Sequence, residues 1–184
     1  MSTLSSVAHY LGRPRVTHLS VDVVINAPVT AVFAGFTQWA NQGMWMVGTH
    51  VEVRSGDGLS VGSVLAAWTG TPLGGKGPAV GFWDTMIITR FEEPYRVDVE
   101  HTGSVVQGTG VMEVLALPQG RSRFVWAEDL VLPLGVVGAA GWPLIRPGFR
   151  AGVRHSLETF GRLVETGVLP RAVSPGDAPS PHRG

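Results

Sequence analysis

The sequence predicts an α+β domain in which a curved antiparallel sheet of seven strands wraps around one long C-terminal helix, with short helices after the first strand. Three observations predict it. A single strand-like segment precedes a helical pattern near the start of the chain. From 50 to 132 the chain then reads as six successive strands, joined by connections too short for parallel crossovers. The last ordered segment carries one continuous apolar face at helical spacing. A sheet curling over an amphipathic helix buries both apolar faces at once.

Taken in order, "LSVDVVI" (19–25) puts Leu19, Val21, Val23 and Ile25 on one face of a strand. "NAPVTAVFAGFTQW" then starts a short helix, with Pro28 near its first turn, where a missing N–H costs nothing. Val32, Phe33 and Phe36 form its apolar stripe, and "ANQGMWMVG" continues as a short irregular or helical piece. Turn signals divide the strands: "SGDG", "TPLGGKGP", "EEP", "TGS" and "PQG". In "RPGFRAGVRHSLETFGRLVETG", Phe149, Val153, Leu157, Phe160 and Val164 share a helix face, and Gly167 is placed to cap it. The apolar segment 133–147 before that helix reads as a buried linker with a broken helical turn, or alternatively as a gate. Residues 1–15 read as an N-terminal extension and 16–169 as one domain. Residues 170–184, rich in Pro, Ser and Gly, form a tail predicted to be disordered.

Composition excludes several function classes. Fourteen basic and 14 acidic residues leave no formal net charge, so nothing draws the whole molecule onto nucleic acid or an anionic membrane. Cysteine is absent, which removes disulfides, thiolate metal sites and Cys nucleophiles. The six histidines form no i,i+4 pair or HExxH pattern, so no metal site is expected, and no cofactor. No GxSxG elbow or phosphate-binding loop is present. The N-terminus lacks a signal-peptide pattern, and no segment is long and apolar enough to span a bilayer, so integral membrane association is not expected. The cytoplasm is the expected location.

A family resemblance enters with "VVINAPVTAVFAGFTQWANQGMWMVG", a strand ending in an Ala-Pro turn, then a helix and a Trp-containing segment leading to Gly. With the "FEEPYRVDVEH" hairpin and "GRSRFVWAEDLVLPLG" before the long helix, this resembles the START/Bet v 1-like (SRPBCC) superfamily over roughly residues 16–167, in order and texture rather than in one diagnostic motif. Within it the chain looks most like the polyketide cyclase/dehydrase-type proteins. The resemblance implies a helix-grip fold with a cavity between sheet and helix. Members include aromatases, cyclases, lipid and hormone carriers and ring-hydroxylase domains, and fold alone does not choose among them.

Strand parity then identifies the cavity face. On 95–101 the inward set is Tyr95, Val97, Val99 and His101, since Arg96, Asp98 and Glu100 share the other face. On the last strand it is Phe124, Trp126, Glu128, Leu130 and Leu132. Met112 faces in from the strand between, and Phe149, Val153 and Leu157 from the helix. Strand 80–91 is ambiguous, so Trp83 is a ligand-binding candidate and Asp84 a weak one.

Glu128 stands out as a carboxylate on an apolar face. Burying it bare costs several kcal/mol, so it must be hydrogen-bonded, paired or protonated. It is a structural glutamate, an anchor for a ligand hydroxyl or amine, or a catalytic acid or base. A tight turn at "PQGR" sets Trp126 opposite Val114, Phe124 opposite Ala116, Leu130 opposite Gly110 and Glu128 opposite Met112. His101 then falls opposite about Val106. That leaves it about six residues from Glu128 along the strands, at about 3.3 Å each, too far for a dyad. Tyr95 comes out nearly level with Glu128, at roughly 10 Å.

The expected partner is a hydrophobic small molecule, aromatic, polyketide-like or lipid-like, held by a binding or carrier protein. The alternative is a cyclase, aromatase or dehydratase with Glu128 as acid or base. A third class, a protein-interaction module of co-chaperone type, has no need of inward aromatics. Ligand identity and oligomeric state are not legible in the sequence.

Overall fold

In the computed structural model, residues 16–71, 80–131 and 135–169 are described. The expected extension 1–15, most of the "TPLGGKGP" turn and the tail 170–184 lie outside them. Strand β1 (Val16–Ile25) leads into helix α1 (Val29–Phe36) and a single 3-10 segment (Trp39–Met44). Strands β2 (Thr49–Ser55), β3 (Val64–Gly70), β4 (Gly81–Glu92), β5 (Arg96–His101), β6 (Gly108–Leu117) and β7 (Arg121–Val131) follow, then helix α2 (Gly135–Glu165). The seven strands form one antiparallel sheet in the order β1-β7-β6-β5-β4-β3-β2. This is the helix-grip arrangement. No helix among the described residues is long and apolar enough to cross a membrane.

The expected α2 face is the one that packs. Leu157 and Phe160 are fully buried, and Val153 and Val164 pack against the core. Phe160 lies 4.9 Å from the Trp45 ring and 5.1 Å from Phe124, and Phe124 stacks on Phe36 at 5.1 Å. These aromatic rings close one end of the space between sheet and helix, so the cavity lies toward the other. Gly167 has φ +69 and ends the helix as expected.

One expected element differs. The segment 133–147 is not a linker with a broken turn: from Gly135 it belongs to α2, which runs through Pro143 and Pro147. Each proline removes one i→i−4 hydrogen bond, but 31 residues of helix flank or contain them. Helical periodicity was legible only after Pro147 because Gly and Pro dominate the sequence before it.

The registers also differ from expectation, by the same step in two places. Leu117 pairs with Arg121 across a three-residue turn, Pro118–Gly120, in which Gln119 and Gly120 both have φ near +65. Glu128 therefore pairs with Gly110, not Met112, and Trp126 with Met112, not Val114. On the other side of β6, His101 pairs with Gly108 rather than with Val106. Each register is displaced by two residues, so every side chain keeps its face while its position along the strand changes.

Candidate functional site: a charged cluster in an apolar cavity

A cavity of about 520 Å³ lies between the inner face of the sheet and α2. Its walls are mostly apolar: Leu19 from β1, Leu65 and Ala67 from β3, Phe82 and Met86 from β4, Val99 from β5, Met112 from β6, Trp126 and Leu130 from β7, and Phe149 and Val153 from α2. Val47, Val105 and Phe149 line it and are also solvent-exposed, which marks the mouth.

The ionisable groups among its described lining residues are Asp84, His101 and Glu128. They form one hydrogen-bonded cluster. His101 Nδ1 lies 2.7 Å from Asp84 Oδ2, and His101 Nε2 lies 2.9 Å from Glu128 Oε2. Trp126 donates its indole N–H to Glu128 Oε1 at 2.6 Å, and its ring packs edge-on against Trp45. The side chains of all three ionisable residues are close to nine-tenths buried or more. The other Asp84 oxygen, Oδ1, is buried without a hydrogen-bond partner.

The Glu128–His101 pair is the main correction to the sequence reading, which excluded it. The two register displacements act in the same direction. His101 pairs with Gly108 and Gly108 with Leu130, so Glu128 is two residues from the level of His101, not six. The strand between them presents no side chain at that point. A Cβ on Gly110 would lie 3.1 and 3.3 Å from the two Glu128 oxygens and 3.0 Å from Val99 Cγ2, so the carboxylate sits in space that a side chain there would crowd. Gly108, with φ +134, has a conformation that L side chains rarely adopt, and a Cβ there would collide with the Asp129 carbonyl oxygen. The "GTG" at 108–110 was the available signal, and its meaning depends on the register.

Burial of His101 opposes its charge, but hydrogen bonds to Asp84 and Glu128, with their negative charges, outweigh that. The imidazole pKa is raised from 6.5 to about 10. At neutral pH it is an imidazolium, with Nδ1–H donated to Asp84 and Nε2–H to Glu128. His101 is therefore a buried ion-pair partner of both carboxylates. The two carboxylates sit on opposite ring nitrogens and do not converge on one point, and no group of three or more metal-ligating side chains occurs among the described residues.

The remaining expected lining residues separate into three groups. Val99, His101, Met112, Trp126, Glu128, Leu130, Phe149 and Val153 line the cavity. Val97, Phe124 and Leu157 face inward but are fully buried in the core, Phe124 between the rings of Phe36 and Phe160. Tyr95 and Trp83 do not line it. Tyr95 is in the turn before β5, its N–H bonded to the Glu92 carbonyl, and is 54% exposed. Trp83 is on the outer face of β4, 5.8 Å from Trp68 and beneath the Arg54 guanidinium at 4.9 Å. The inward face of β4 is the Phe82, Asp84 and Met86 set. Parity could not choose it, because the Trp68–Trp83 pair makes the outer face equally apolar.

No protein-family model matches the chain, and no curated protein matches it at the sequence level. Solved structures do match in fold. The Zhui aromatase/cyclase from Streptomyces sp. R1128 superposes with a TM-score of 0.61 at 15% identity, covering 84% of this chain and 96% of that one. A norcoclaurine synthase point mutant from Thalictrum flavum, in complex with a transition-state analogue, gives 0.59 at 15% identity, covering 85% and 98%. Ara h 8.0201 gives 0.54 at 12% identity, covering 83% and 99%. The shared feature is the Bet v 1-like helix-grip fold.

Proposed function

We propose that the protein binds a hydrophobic small molecule in the cavity between sheet and helix. The observation that carries this reading is the cavity itself: about 520 Å³, mostly apolar, with its charged groups gathered in one cluster. That is the size and chemistry of a small-molecule site, in which apolar walls supply affinity and a few polar groups fix orientation. Fold neighbours whose names include a cyclase and a synthase are consistent with it and do not choose a ligand.

Nile red, a neutral dye whose emission moves to the blue in apolar surroundings, tests the proposal. One equivalent is expected to bind with a blue shift and to quench tryptophan emission, because Trp39 and Trp126 line the walls. An unshifted, non-saturable signal would contradict binding.

The cluster favours a second reading, an acid–base enzyme of cyclase or dehydratase type. A histidine held between two carboxylates keeps a proton inside an apolar chamber, next to wherever a substrate sits. For a β-hydroxy ketone, the Glu128 carboxylate removes the α-proton and the enolate expels hydroxide. The proton returns to the departing oxygen, and water and the enone leave. Glu128→Gln separates the readings: a carrier keeps Nile red binding and has no turnover to lose, whereas an enzyme keeps binding and loses turnover of a β-hydroxy ketone substrate.

A further inference from the structure

The charged cluster offers a ligand acceptors and negative charge, and nothing else. Both His101 ring nitrogens are engaged by carboxylates, and the Trp126 indole N–H is given to Glu128. Asp84 and Glu128 are the two acids, His101 is the one base, and no Lys or Arg is among the described lining residues. The cluster carries a net −1 with the imidazole protonated and −2 with it neutral. Unused bonding capacity within reach of a ligand remains on Glu128, each of whose oxygens accepts one bond and has a second lone pair, whereas Asp84 Oδ1 accepts none but is fully buried on the Gly103 side.

We infer that the ligand is a hydrophobic amine, or failing a charge a hydroxyl-bearing apolar molecule, bound with its donor group on Glu128 and the Asp84–His101 side of the cavity; carboxylates, fatty acids included, are disfavoured there. This rests on the cavity being a binding site. A carboxylate would enter a low-dielectric space as a third anion and find no N–H or O–H in the cluster to receive it. An ammonium group meets the Glu128 carboxylate, with the Asp84 charge beyond His101 and the aromatic side chains of Trp126 and Phe82 also in the lining, and aromatic rings attract cations. A hydroxyl donates one hydrogen bond without the Coulombic gain.

The test is calorimetric titration of one naphthyl skeleton with three ends: naphthylpropylamine, naphthylpropanol and naphthylpropionate, all at pH 7. The amine is expected to bind tightest, the alcohol next, and the carboxylate at least about tenfold more weakly than the amine. Glu128→Gln and Asp84→Asn each remove one negative charge, and whichever folds is expected to narrow the amine-to-carboxylate ratio toward unity. A carboxylate that binds as tightly as the amine overturns the inference while leaving the cavity a binding site. So does a ratio unchanged in a folded variant. If none of the three binds, the cavity-binding proposal falls, and this inference with it.

Discussion

Glu128 resolves as a residue whose two oxygens are each committed, one to Trp126 and one to His101, above a glycine that leaves room for both. The anomaly was legible in the sequence: one carboxylate among Phe124, Trp126 and Leu130 has to be paired. Its partner was not, because His101 lies on β5, across β6 from β7, and Asp84 one strand further on β4. The histidine gives a pH signature. The folded protein holds the His101 proton more tightly than the unfolded chain, whose imidazole titrates near 6.5. The stability it contributes is therefore complete below about pH 6.5 and is lost as pH rises toward about 10. Urea unfolding of the wild-type protein is expected to show stability falling across that window. His101→Gln leaves two buried carboxylates without a cation, and should lower the melting temperature at pH 7 by roughly 5 °C or more. It should also flatten the slope between pH 6.5 and 10. An identical slope in the variant would place the titrating group elsewhere.

The elements show why some parts of the fold were readable and others were not. Strand order, hairpin positions and the apolar face of α2 follow from local patterns of period two and 3.6, which turn residues punctuate. Facing survives an error of two residues in register, since parity is unchanged, but position along the strand does not. Two such errors, at Pro118–Gly120 and at the β5–β6 connection, were enough to move His101 and Glu128 from contact to apparent remoteness. The start of α2 was hidden for a different reason: Gly and Pro obscure helical periodicity, yet the helix persists through Pro143 and Pro147. Packing of its C-terminal half is the firm part. Phe160 is fully buried against Trp45 and Phe124, and a Cβ on Gly35 of α1 would lie only 3.2 Å from its ring. Phe160→Ala is expected to cost about 3–5 kcal/mol and to lower the melting temperature by roughly 10 °C. A loss under about 1 kcal/mol in chemical denaturation would mean that α2 does not pack here.

At the scale of the whole molecule, the zero formal net charge includes the two buried acids of the cavity cluster, so the rest of the chain has a small excess of basic residues. Zero net charge gives no long-range pull toward polyanions, so selection of a partner falls to the cavity. The fold supplies that cavity by filling one end with Phe36, Phe124 and Phe160 and leaving the other open between β4–β7 and α2. Methionine methyl groups report on both regions. Met46, Met86 and Met112 line the cavity, whereas Met44 is 49% exposed and does not. The most direct test is a methyl NMR titration of methionine-labelled protein with naphthylpropanol. A ligand seated in the cavity is expected to give saturable shifts at Met46, Met86 and Met112 with one common affinity, and none at Met44. Shifts confined to Met44, or no saturable shift at the three lining methyl groups, would contradict it.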